Sequence, residues 1–136
     1  MNLFFNLKVY LLTFIVFLGI DAVWLAKIAP NFYKTNIGHL MAEKPNLIAA
    51  GVFYIINIFG IVLFAINPAL QKNSTATAFI YGALYGLATY ATYDLTNLAT
   101  LKDWPLKVTV VDIIWGMFLT SLTAGVGFIL TKKFLS

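Results

Sequence analysis

Four apolar runs, at about residues 3–28, 47–66, 76–101 and 106–130, constrain this chain more than any other feature. At ~1.5 Å per helical residue, each is long enough to cross a hydrocarbon core of about 30 Å. Inside hydrocarbon every backbone N–H and C=O must be paired, which leaves only helices or closed barrels. Unbroken apolar runs without two-residue alternation select helices. Composition agrees: 61% of the residues are hydrophobic and 10% charged, against roughly 25% charged in a soluble domain. Mean hydropathy is +0.88. The expected fold is therefore all-α, an integral membrane four-helix transmembrane bundle, with residues 1–136 as a single transmembrane domain. The first run is longer than the apolar part of a secretory signal and has no small-x-small cleavage site behind it, so it reads as a true span.

The connections carry the charge. All nine basic residues are lysines and the net charge is +4. Most of these lysines sit between or beside the apolar runs, where they act as interfacial anchors and do not form a nucleic-acid surface. The segment Ala29–Asn46 holds two prolines, the only histidine and the only glutamate. It reads as a polar loop or an interfacial helix, with Phe32, Tyr33 and Leu40 available at headgroup level. A lone His39 reads as a solvated loop residue, and no second histidine exists to complete a metal pair. Asn67-Pro68 is expected to end the second helix. Trp104 and Pro105 are expected to anchor and start the turn into the fourth. An even number of spans places both termini on one side. Lys8, Lys72, Lys132 and Lys133 on that side nearly balance Lys27, Lys34, Lys44, Lys102 and Lys107 on the other, so the positive-inside rule barely chooses an orientation. The expected location is the bacterial inner (cytoplasmic) membrane.

Three of the five acidic residues, Asp21, Asp94 and Asp112, lie within apolar runs. A charged group near the centre of a spanning helix costs about 2.5–3.5 kcal/mol on insertion scales. No lysine is at comparable depth to pair with them. Such carboxyls must be protonated, share protons, bind a cation or line a hydrated cavity. Asp21 is late in the first run, Asp94 late in the third and Asp112 early in the fourth, so all three are expected at one end of the bundle. They are read as one coupled site that holds at least one proton near neutral pH. Asn97 and Tyr93 are its hydrogen-bonding neighbours, Trp24 and Trp115 its aromatic wall, and Asn57 lies deeper. Small residues at Gly82, Gly86, Gly116, Thr120 and Ala124 mark where helices approach closely, either within the bundle or between copies.

The run YATYDLTNLATLKDWP, followed by VVDIIWG and preceded by Asp21-x-x-Trp24, Phe53-Tyr54 and Asn67-Pro68-Ala69-Leu70, resembles the DUF2177 family of small bacterial-type membrane proteins. The similarity covers nearly the whole chain, and YDLTNLATL is its most specific part. The resemblance implies a four-span integral membrane protein from a family without an established biochemical activity, whose members are often encoded near lipid-modifying enzymes.

Two functions fit the acids. One is proton- or cation-linked transport of a small solute by a homo-oligomer, because four helices enclose little space. The other is a membrane-embedded enzyme or accessory factor of lipid metabolism, with aspartates as acid and base or as ligands of a divalent cation. No nucleophile–base pair, histidine cluster or phosphate-binding glycine loop is visible, and no cofactor is called for beyond such a cation. The partners expected are the lipid bilayer, further copies of the chain and a small solute or lipid, not nucleic acid.

Overall fold

The structure is a computed structural model and describes residues 3–136. Six α-helical pieces form four rods. The first comprises α1 (Leu3–Val23), a π-helical turn (Trp24–Ile28), α2 (Ala29–Ile37) and one 3-10 turn (Gly38–Leu40). The second comprises α3 (Leu47–Ile61), a π-helical turn (Val62–Ile66) and α4 (Asn67–Lys72). α5 (Thr75–Thr100) and α6 (Leu106–Phe134) are single helices. Leu3–Leu40, Leu47–Lys72 and Leu106–Phe134 are long and apolar enough to cross a membrane by themselves. α5 has 26 residues and carries more polar side chains, in keeping with its extensive packing on α6.

Neighbouring rods run antiparallel and close a ring. Gly82 meets Ala124, and Gly86 meets Gly116 and Thr120, between α5 and α6. Gly127 faces Thr13 between α6 and α1. Phe17 and Tyr54 rings lie 5.7 Å apart between α1 and α3. Gly60 faces Tyr85 between α3 and α5. The core is built on Val9, Phe17, Ile58, Ile61, Ile66 and Leu119, with Thr13, Asn57, Thr120 and Thr123 buried beside them. The outside is apolar as well, with Leu47 76% and Ile48 82% exposed. A water-soluble domain does not leave such faces uncovered, whereas lipid covers them.

Helix starts follow local chemistry. Asn46 and Ser74 cap α3 and α5, each accepting a backbone N–H, from Ala49 and from Thr77, at 3.1 Å. The turn before α5 is short, because Asn73 takes a left-handed conformation (φ 49°) that closes α4.

Pro68, expected to end the second helix, is passed instead, and so is Pro30. Proline removes one backbone donor and crowds the carbonyl four residues back. Ahead of each, the chain widens by one residue: Ala29 N–H bonds Trp24 O before Pro30, and Asn67 N–H bonds Val62 O before Pro68. The second rod therefore runs to Lys72, beyond the apolar run that ends near Ile66. The first continues through Pro30 to Leu40 and bends. A straight 38-residue rod would measure about 57 Å, nearly twice the hydrocarbon thickness. Ile28, at φ −116°, departs from helical geometry at the bend. The Trp24 ring consequently lies 6.5 Å from Phe32 and 6.2 Å from Tyr33. α2 turns its aromatic face onto the start of α6, where Ile37 packs with Trp104 and Val108. It covers one end of the bundle.

Candidate functional site

The end covered by α2 collects the intramembrane acids. α5 and α6 are joined by a turn at residues 101–105 and remain in close register below it. A Cβ on Gly86 would come within 2.4 Å of Gly116 O, and one on Gly82 within 2.8 Å of Thr120 O. The small-residue seams are thus used inside the chain. Nearer the turn, Gly116 offers a flat seat to the Tyr90 ring, which a Cβ there would meet at 2.2 Å. One step further, the carboxyls of Asp94 and Asp112 become neighbours across the interface. Asp94 is 0% and Asp112 6% exposed.

Their partners differ. The Tyr33 hydroxyl of α2 donates to Asp112 Oδ1. Among the described residues no donor reaches either oxygen of Asp94. Its polar neighbour is the Asp112 carboxyl, also an acceptor when ionised, so a hydrogen bond between the two requires a proton on one of them. Asp21 sits apart from this pair. Tyr54 donates to its Oδ2 at 3.1 Å, and the Trp115 indole N–H is within hydrogen-bonding reach of the same carboxyl. Trp24, three residues on, stacks on Trp115 at 4.6 Å and 10°. Tyr90 lies within electrostatic range of all three aspartates.

The chain belongs to the DUF2177 family. The family profile, described as "Predicted membrane protein (DUF2177)", matches residues 6–129. No curated protein and no solved structure matches the chain. In this DUF2177 chain Asp94 and Asp112 are direct neighbours, and Asp21 shares their end of the bundle with its own hydrogen bonds. Trp24 and Trp115 stand as a stacked pair beside Asp21. Tyr93 is half exposed, with its ring edge-on to Trp104 at 5.7 Å, and Asn97 faces Tyr93. Asn57 lies one turn beyond Tyr54; it is buried, and its amide nitrogen has no acceptor among the described residues.

Sequence reasoning missed Tyr33 and Tyr54 as polar members of this end, whereas Tyr90 stood in the hydrogen-bonding stretch that the sequence singled out. Tyr33 was assigned to the headgroup region because the bend at Pro30 was not foreseen. Tyr54 carried a usable signal, since it is in the half of α3 that an antiparallel neighbour sets beside Asp21. Trp104, expected as an interfacial anchor, is 8% exposed and donates its indole N–H to Thr109 Oγ1 at 3.1 Å.

A cleft of about 400 Å³ opens at this end, lined by Phe53 of α3, Thr89, Tyr90 and Tyr93 of α5, and Asp112 of α6. Phe53 and Tyr93 are 46% and 56% exposed and form its lips. Among the described residues, no group of three or more metal-ligating side chains comes together. His39 and Asp103 approach at 3.7 Å on the surface above, linking two connections and remaining well exposed.

Proposed function

We propose that the acid end of this membrane protein is a proton-exchanging site for proton- or cation-linked transport of a small solute. The observation that carries the reading is the buried Asp94–Asp112 pair. Two facing carboxyls without a basic neighbour cannot both stay ionised at low dielectric. They hold one proton between them and exchange it, or a cation, for a ligand of suitable charge. Asp21, held by Tyr54 and near the Trp115 indole, is the next acceptor, with Tyr90 between it and the pair. Four helices enclose little space, so a homo-oligomer, in the bacterial cytoplasmic membrane, completes the route.

A second reading, an enzyme or accessory factor of lipid metabolism, is favoured by one feature: the lips of the cleft, Phe53 and Tyr93, lie among lipid-facing side chains. Two measurements separate the readings. Proteoliposomes enclosing a pH-sensitive dye should show proton flux with the native protein and none with Asp94→Asn or Asp112→Asn. Equal flux in all three would remove the transport reading. An altered lipid profile in a deletion strain, restored by the native gene but not by either variant, would then support the second.

A further inference from the structure

The cleft and the acid pair together specify a ligand class. We propose that the cleft between α3 and α5 binds a lipid-soluble amine from the side, with its apolar body against Phe53, Thr89 and Tyr93 and its protonated nitrogen on Asp112. The inference rests on the proton-sharing reading of the pair and extends it to the identity of the ligand.

Access comes first. Phe53 and Tyr93 face outward, and Ile56 and Leu95 beside them are also exposed, at 62% and 50%. The opening thus lies on an apolar flank of the bundle, the side from which a molecule dissolved in the bilayer would approach. The walls are three aromatic rings, Phe53, Tyr90 and Tyr93, and a threonine. Thr89 already spends its hydroxyl on its own helix, donating to Tyr85 O at 3.0 Å, and so presents mainly its methyl group. Such walls suit an apolar body.

Charge decides the head. The only ionisable acid lining the cleft is Asp112, and behind it is Asp94, fully buried with both oxygens unpartnered among the described residues. Asp21 adds a third acidic group at the same level, while the lysines Lys107 and Lys102 lie toward the connection. Lys107 is turned onto the Phe32 ring at 6.0 Å. A carboxylate or phosphate head would meet only like charge here. An ammonium supplies Asp112 with donors beyond the single one it has from Tyr33, and brings positive charge beside Asp94, which has none. When the ammonium arrives, it replaces the shared proton as the counter-charge, so binding and proton release are linked.

The test uses the purified protein in nanodiscs with three chain-matched probes: decylamine, decanol and decanoate. Decylamine should raise the melting temperature and bind about tenfold or more tightly than decanol, and decanoate should not bind. Binding should release close to one proton in weakly buffered solution. Thr89→Phe, which fills the cleft without touching an acid, should abolish the effect, as should Asp112→Asn. Indifference to the head group, or amine binding unchanged in both variants, overturns the proposal. The two readings fail separately. Proton flux lost in Asp94→Asn but no amine binding rejects the ligand class alone. Amine binding without proton release rejects the shared proton.

Discussion

The two ends of the α5–α6 interface are built from the same pair of helices and do opposite things. Toward the chain termini, Gly82, Gly86, Gly116, Thr120 and Ala124 bring the backbones into contact, and Ser121 Oγ donates to Phe79 O at 2.8 Å across the seam. Toward the turn at 101–105, the same two helices carry Asp94, Asp112, Tyr90 and Tyr93 around a cleft. The first end satisfies the membrane with small side chains, no charge and backbone packed on backbone. The second concentrates groups that hydrocarbon disfavours, and covers them with α2. The difference shows where rigidity and chemistry are divided: the seam fixes the separation of the helices, and that separation holds the carboxyls together.

The largest effect should come from prying the seam open. Gly86→Leu puts a branched side chain where even a Cβ would lie 2.4 Å from Gly116 O. It should destabilise the protein by about 3 kcal/mol or more and separate Asp94 from Asp112. Thermal unfolding in detergent measures the first, and a melting temperature equal to the native one would show that the seam does not set the helix spacing.

A smaller effect belongs to the cover. Tyr33→Phe removes the hydroxyl that donates to Asp112 and leaves the ring in place against Trp24. The expected cost is about 1–3 kcal/mol, seen as faster hydrogen exchange across α2 with the exchange of α5 and α6 near Gly86 unchanged. Faster exchange spread evenly over all helices would contradict the division between the ends.

The smallest effect sharpens the comparison by its absence. Thr92 is exposed at the level of the acids and donates to its own helix, at Ala88 O and 2.6 Å. Thr92→Ala should change stability by less than about 0.5 kcal/mol and leave proton flux intact. A loss of flux would mean that polarity at this depth, rather than the acid pair, governs the site.

Much of this was legible in the sequence, for specific reasons. Asp94 precedes Leu101 by seven residues and Asp112 follows Pro105 by seven, so a short turn between antiparallel helices sets them level. Gly82 and Gly86 announced a close contact, although spacing alone did not tell an internal seam from a contact between copies. What was illegible depends on tertiary geometry. Pro68 read as a stop because a proline cannot donate its hydrogen bond, yet one widened turn ahead of it, as ahead of Pro30, lets the helix continue. The position of Tyr33 follows from that bend. Trp104 resembled an anchor, since nothing in the linear sequence reveals that Thr109 will accept its N–H. The separate hydrogen bond of Asp21 depends on Tyr54, which arrives from another rod.

The most direct test of the central claim is infrared difference spectroscopy of the carboxylic-acid C=O band at neutral pH, in the native protein and in Asp94→Asn, Asp112→Asn and Asp21→Asn. If Asp94 and Asp112 share one proton, the native protein shows an acid band that shifts in deuterated water. That band should disappear in either partner's variant, where the remaining carboxyl gains an amide donor and ionises, and it should persist in Asp21→Asn. A native protein without an acid band, or a band lost only in Asp21→Asn, would contradict the account.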